Sequence, residues 1–254
     1  MRTILALCTA VAALILPLSL VSSAQAAEAK LYEMRIYYAP EGKLNDLHAR
    51  FRDHTMRIFA KHGIENIGYW VPVDNKENKL VYLLAYPSHE ARETSWKEFF
   101  ADADWKAAAK ASEANGKIVA KVETMFLNPT DYSPAIKVEK QDPARSFELR
   151  TYTTPEKGLD NLNKRFRDHT VALFEKHGIH NFGYWTPEKK PNTLVYLVTH
   201  KSPESAKESF GAFGKDPTWN EAKKKSEEAA GGSLTVKDGV KSEFLVPTDY
   251  SPTK

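Results

Sequence analysis

The sequence predicts an α+β fold in which two tandem βαββαβ units pair within one chain as a pseudo-dimer. Three observations carry this prediction. Residues 32–72 align without a gap onto residues 147–187, and 23 of those 41 positions are identical. Apolar spacing switches from period two to period 3.6 and back in the same order in both copies. Both copies also close on one hexapeptide, Pro-Thr-Asp-Tyr-Ser-Pro, at 129–134 and at 247–252. The repeats span 30–134 and 146–252, and the polar stretch 135–145 with Pro143 reads as a short linker.

Residues 1–26 precede the repeats and have the three-part layout of a secretory signal peptide. Arg2 supplies the charge, Ile4 to Val21 the apolar run, and Ala24-Gln25-Ala26 the small-residue exit. The run is about long enough to serve as an uncleaved anchor, but Pro17 and the Ala-Gln-Ala exit favour a cut after Ala26. Leu7 before Cys8 does not suit a lipid attachment site. The expected product is periplasmic or secreted, with no membrane span once the signal is gone.

The first repeat opens on a strand over 31–38, where Tyr32, Met34, Ile36 and Tyr38 share one side. From 43 to 62, Leu44, Leu47, Phe51, Ile58 and Phe59 fall on one helical stripe, and Gly63 suits the left-handed turn after it. Strands over 64–73 and 79–86 flank a polar turn. A second helical stretch, 88–114, is anchored by Trp96, Phe99, Phe100 and Trp105, with a break expected near Asp102. The last strand is expected over 117–127. This order is that of a split-βαβ, ferredoxin-like unit, which leaves one sheet face bare. Two such faces in one chain can close on each other as an α/β barrel.

Composition narrows the function classes. The 42% hydrophobic content supports packed cores rather than disorder. Without the signal, 35 basic residues face 33 acidic ones, so charge gives no case for nucleic acid or an anionic membrane. Cys8 is the only cysteine, which removes thiolate chemistry and cysteine metal sites from the mature chain. No HxH, HxxxH or HExxH spacing occurs, and no metal site is predicted. The glycine signatures of nucleotide sites and of nucleophile elbows are missing too, so no cofactor is predicted.

Several spaced blocks recur in both copies. They are Arg-Phe-Arg-Asp-His-Thr at 50–55 and 165–170, Gly-Tyr-Trp at 68–70 and 183–185, and Leu-Val-Tyr-Leu at 80–83 and 194–197. With Tyr-Glu-Met-Arg-Ile-Tyr at 32–37 and the closing hexapeptide, these resemble the NIPSNAP family over nearly the whole mature chain. The resemblance implies membership of the dimeric α/β-barrel superfamily, alongside small monooxygenases, muconolactone-isomerase-like proteins and haem-binding barrels. It implies no single activity and supplies no catalytic residues. The best-studied relatives are mitochondrial and are discussed as sensors or adaptors, whereas this chain reads as carrying an export signal.

The residues themselves offer three candidate groups. If Tyr32, Met34 and Ile36 face the helices, period two turns Glu33, Arg35 and Tyr37, and likewise Glu148, Arg150 and Tyr152, into the barrel lumen. There they form a structural ion pair between the repeats, or orient a ligand and tune Glu33 and Glu148 as bases. His54 and His169 lie at the edge of the helical stripe, where they act as acid, base or ligand, or bond a backbone carbonyl. Haem through either is an analogy with nothing local behind it. His62 and His177, in the last helical turn, read as capping residues. Trp70 and Trp185 are core residues or the aromatic wall of a ligand cavity, with Tyr37, Tyr69 and Tyr82 beside them.

The expectation is a module that holds a small, partly apolar ligand in its lumen, alone or paired with a second chain. The alternatives are a cofactor-independent monooxygenase or isomerase, and a scaffold with a filled barrel. Whether the chain is an enzyme stays open on the sequence.

Overall fold

The computed structural model describes residues 30–254, so the expected signal peptide, with Cys8 and the cut after Ala26, lies outside the described residues. Strand β1 (Leu31–Tyr38) leads through helix α1 (Leu44–Arg50), a π-helical turn (Phe51–Thr55) and α2 (Met56–Lys61) to the hairpin of β2 (Glu65–Pro72) and β3 (Lys79–Tyr86). Helices α3 (His89–Ala101) and α4 (Ala103–Ser112) return the chain to β4 (Lys121–Pro129). The second repeat follows the same order. Its elements are β5 (Ser146–Thr153), α5 (Leu159–Arg165), a π turn (Phe166–Thr170), α6 (Val171–Lys176), β6 (His180–Pro187), β7 (Thr193–His200), α7 (Pro203–Lys215), α8 (Pro217–Ala230) and β8 (Val240–Pro247).

The eight strands close a barrel in the order β1-β3-β2-β8-β5-β7-β6-β4, with β4 returning to β1. Each repeat supplies four antiparallel strands, and the repeats join where β2 pairs with β8 and β4 with β6. Closure leaves no strand edge free for another chain to extend. The fold is therefore the α+β pseudo-dimeric barrel that the duplicated pattern predicts.

Helix one departs from a single regular helix. In both copies the Phe-Arg-Asp-His-Thr stretch takes π geometry. The Thr55 and Thr170 hydroxyls reach back five residues and donate to the carbonyls of Arg50 at 3.1 Å and Arg165 at 3.2 Å. That side-chain bond supports a turn with one extra residue. The final strand begins at Lys121 rather than 117, because Ile118 is instead buried beneath the helices. The break at Asp102 occurs as expected. Its carboxylate accepts from the Asp104 and Trp105 amides at the start of α4, and from Lys61 at 2.7 Å and His62 at 2.8 Å. These side-chain bonds hold the Asp102 carboxyl well below its ordinary range. His62 and His177 stand at the C-caps of α2 and α6 as expected, and their rings also tie these helix ends to Asp102 and Asp216.

The face assignment of the first strands is the reverse of the expectation. Tyr32, Met34 and Ile36 point into the barrel, where they join Trp70, Val81, Phe147 and Trp185 in a cluster drawn from both repeats. Glu33, Arg35 and Tyr37 point outward under the helices, as do Glu148, Arg150 and Tyr152. Both faces of a covered barrel strand are buried, so alternation separates two faces without saying which is inner. Hydrogen bonding favours this side: a buried carboxylate needs charged donors, and Arg92 of α3 lies in the helix layer while the inner cluster is largely apolar. The expected Glu/Arg-lined lumen therefore does not form.

The Gly-Tyr-Trp blocks build that interior. The Trp70 indole folds back over Gly68, where a Cβ would stand 2.2 Å from Trp70 Cη2, and Gly183 meets Trp185 at 2.5 Å. Each indole then packs across the repeat boundary, Trp70 on Phe147 at 5.2 Å and Trp185 on Tyr32 at 5.7 Å between centroids. Neither indole N–H finds a hydrogen-bond partner among the described residues. These tryptophans fill the barrel rather than wall a ligand cavity.

The closing hexapeptides form a reciprocal clasp. Arg52 of the first repeat grips Asp249 of the second with two bonds of 2.7 and 2.9 Å, and Arg167 grips Asp131 likewise. Ser251 accepts from the Tyr69 amide at 2.9 Å, and Ser133 from that of Tyr184 at 3.0 Å. The arginine pairs are half-exposed, and solvent screening leaves exposed ion pairs little net contribution. Ser251 is fully buried, and leaving a buried amide unpaired costs about 1–3 kcal/mol. The serines therefore carry more of the clasp than the charges do.

Candidate functional site

The two repeats differ where sheet meets helices. In the first, Glu33 is fully buried and accepts from Arg35 at 2.5 Å, from Arg92 of α3 through two bonds of 3.0 Å, and from the Tyr86 hydroxyl at 3.0 Å. Arg35 also donates to Tyr82 at 2.9 Å. The Trp96 ring covers that guanidinium at 4.5 Å and its Nε1 donates to Tyr86 at 2.8 Å. Burial alone would raise the Glu33 carboxyl, but Arg92 and Arg35 outweigh it and hold it below its ordinary value. Every polar atom of this group is engaged, and the indole occupies the space above it.

In the second repeat the strand residues persist and the covering ones change. Glu148 pairs with Arg150, and Arg150 donates to Tyr196 at 2.9 Å and Tyr152 at 3.1 Å. His200 stands where the first repeat has Tyr86 and bonds Glu148 at 3.1 Å. Ala206 replaces Arg92 and Phe210 replaces Trp96. Phe210 borders a cavity of about 290 Å³, lined also by Arg150, Tyr152, Arg165, Phe166 and Trp219 among others. Burial would raise the Glu148 carboxyl, but the His200 bond and Arg150 hold it low. Burial would likewise lower Arg150, and the surrounding Tyr196, Tyr152 and Glu148 reverse that. Glu148 is thus a fixed counterion that keeps Arg150 charged beside the cavity.

Arg165, the last residue before the π turn, also lines this space and is only 6% exposed. Its Nε and Nη1 have no hydrogen-bond partner among the described residues, and the Glu227 carboxylate stands 3.6 Å from Nη1. Burial lowers its guanidinium from the usual value and Glu227 only partly offsets this.

The other expected site residues lie elsewhere. His54 and His169 are exposed on an outer groove between the helices, at equivalent places in the two repeats, and do not reach a sheet edge. Arg35 and Tyr37 are under the helices of the first repeat, and Trp70 and Trp185 are inside the barrel. Only Arg150 and Tyr152 of the expected ligand contacts meet in a cavity. Arg165, Phe210 and Trp219 were not expected there. The signal that could have found the site is a difference: 86/200, 92/206 and 96/210 diverge between otherwise similar copies. Among the described residues, no three His, Cys, Asp or Glu side chains gather as a metal site, and no helix is long and apolar enough to cross a membrane.

Solved structures share this architecture. A proposed monooxygenase from Lactobacillus acidophilus superposes with a TM-score of 0.55 at 14% identity, covering 87% of this chain and 94% of that one. An anthrone oxidase-like protein superposes with a TM-score of 0.54 at 11% identity, covering 89% and 94%. These likenesses show the fold. A NIPSNAP family protein from Agrobacterium tumefaciens, 25% identical, covers 41% of this chain and 97% of its own, with a TM-score of 0.38. No curated protein matches the chain. The sequence profile of the NIPSNAP family matches twice, over residues 32–134 and 147–252. With both repeats accounted for in this way, the chain belongs to the NIPSNAP family.

Proposed function

We propose that the protein binds a small, partly apolar molecule in the sheet–helix cavity of its second repeat. The observation that carries this is the asymmetry: one charged strand ladder sits under a fitted Trp96 and Arg92, while its copy faces about 290 Å³ of aromatic-lined space. The volume lies at the lower end of ligand pockets, so the molecule is small. Because the first repeat carries a tryptophan at the same place, Phe210→Trp is a fold-compatible way to fill the cavity. In calorimetric titration with 2-naphthamide, the wild type is expected to bind and the filled variant to bind at least tenfold more weakly at an unchanged melting temperature. Equal binding by both overturns the assignment.

Glu148, beside an arginine that lines the cavity, supports a second reading in which the held molecule is oxidised or isomerised without a cofactor. Dioxygen uptake or product formation with a phenolic substrate, in the wild type but not the filled variant, supports it. Neither activity over a panel of such substrates counts against it. The signal-like segment at 1–26 supports action after export, in the periplasm or outside the cell. N-terminal sequencing of protein from an exporting host should begin at Ala27, and a retained Met1 overturns that placement.

A further inference from the structure

The cavity of the second repeat also has a charge preference. Arg165 reaches it almost fully buried, with two nitrogens lacking hydrogen-bond partners among the described residues. The equivalent Arg50 of the first repeat is better satisfied: its Nη1 donates to Glu113 at 3.2 Å and to Ser112 at 3.5 Å. Nε is unpartnered in both copies, and the difference lies at Nη1, which the equivalent Glu227 approaches only to 3.6 Å in the second.

Charge counting points the same way. Arg150 is neutralised by Glu148. That leaves Arg165 and Lys223 on the cavity wall against one carboxylate, Glu227, a surplus of one positive charge. Lys223 occupies the place of Ala109 in the first repeat, so this cation too is particular to the second. The rest of the wall is largely aromatic, with Phe166, Phe174, Phe210, Phe213 and Trp219. A buried apolar cavity of about 150 Å³ takes one benzene ring, and this one has about 290 Å³.

Resting on the binding role proposed above, we infer that the ligand is an aromatic anion of one or two rings, with its carboxylate or phenolate on Arg165. The unpartnered Nε shares a planar edge with Nη2, the edge that Arg52 and Arg167 use on their carboxylates, and that edge matches two carboxylate oxygens in a bidentate pair. The rings then lie among the phenylalanines and Trp219. Burial makes the preference sharp, since a neutral analogue leaves the guanidinium unpaired.

The test compares 2-naphthoate with its neutral isostere 2-naphthamide by calorimetric titration, in the wild type, Arg165→Met and Arg165→Lys. The wild type is expected to bind the acid at least tenfold more tightly than the amide. Arg165→Met is expected to bind both equally, and Arg165→Lys to keep part of the preference. Equal affinities in the wild type, or a preference that survives in Arg165→Met, overturn the anion assignment and leave the cavity reading standing. Failure of the wild type to bind either probe overturns both. The wild-type ratio decides the question even if the Met variant is unstable.

Discussion

Alanine at Gly68 and Gly183 together is expected to destabilise the protein by about 2–6 kcal/mol, taking roughly 1–3 kcal/mol for overpacking each site. The added Cβ would fall 2.2 Å from Trp70 in one copy and 2.5 Å from Trp185 in the other. Neither ring can swing away cheaply, because each is fully buried and packed against a partner from the other repeat. The backbone is not the obstacle, since neither glycine has a positive φ. Urea unfolding monitored by tryptophan emission reads the loss directly, and a change under about 0.5 kcal/mol per site would show that the indoles are loosely held.

Glu33→Gln should cost about 3–5 kcal/mol, the usual range when one partner of a buried pair is removed. The substitution strands two guanidinium groups, Arg35 and Arg92, whose side chains are only 12% and 16% exposed. Glu148→Gln should cost less. It leaves one arginine, still bonded to Tyr196 and Tyr152, where the first ladder leaves two. The pH dependence has a definite sign. The folded Glu33 pKa is depressed, so its contribution is fully present above the unfolded value of about 4.3 and fades as acid protonates it. The gap between wild type and Glu33→Gln should therefore be constant from pH 5 to 8 and narrow below about pH 4. Equal losses for the two glutamines would mean that Arg92 contributes nothing to the first ladder.

Much of this architecture was readable in the sequence because duplication displays the pattern twice. Strand β1 and strand β3 run over the expected residues, and the helix break falls at Asp102, whose short carboxylate can cap a second helix start. The π turn was not readable, since a Thr hydroxyl bonding five residues back leaves no periodic trace. The inner and outer faces of β1 were assigned backwards for a physical reason. In a covered barrel both faces of Tyr32-Glu33-Met34-Arg35 are buried, and only the donors on α3 and β3 decide where the carboxylate lies. The retained hexapeptide points to His54 and His169, and both are exposed. The candidate site rests instead on Phe210, Arg165 and Trp219, and Phe210 differs from its counterpart Trp96.

The fused chain also changes what mutation can do to the molecule. In a dimer of identical chains every substitution appears twice, so a change that plugs one cavity plugs both, and one that opens one opens both. Tethering the halves by 135–145 and clasping them through Ser133 and Ser251 gives each half its own coding sequence within one body. Trp96 and Phe210 can then differ while the barrel between them stays twofold in shape. One half is free to become a buttress, and the other to keep open space beneath its helices, without either losing the partner it needs to fold.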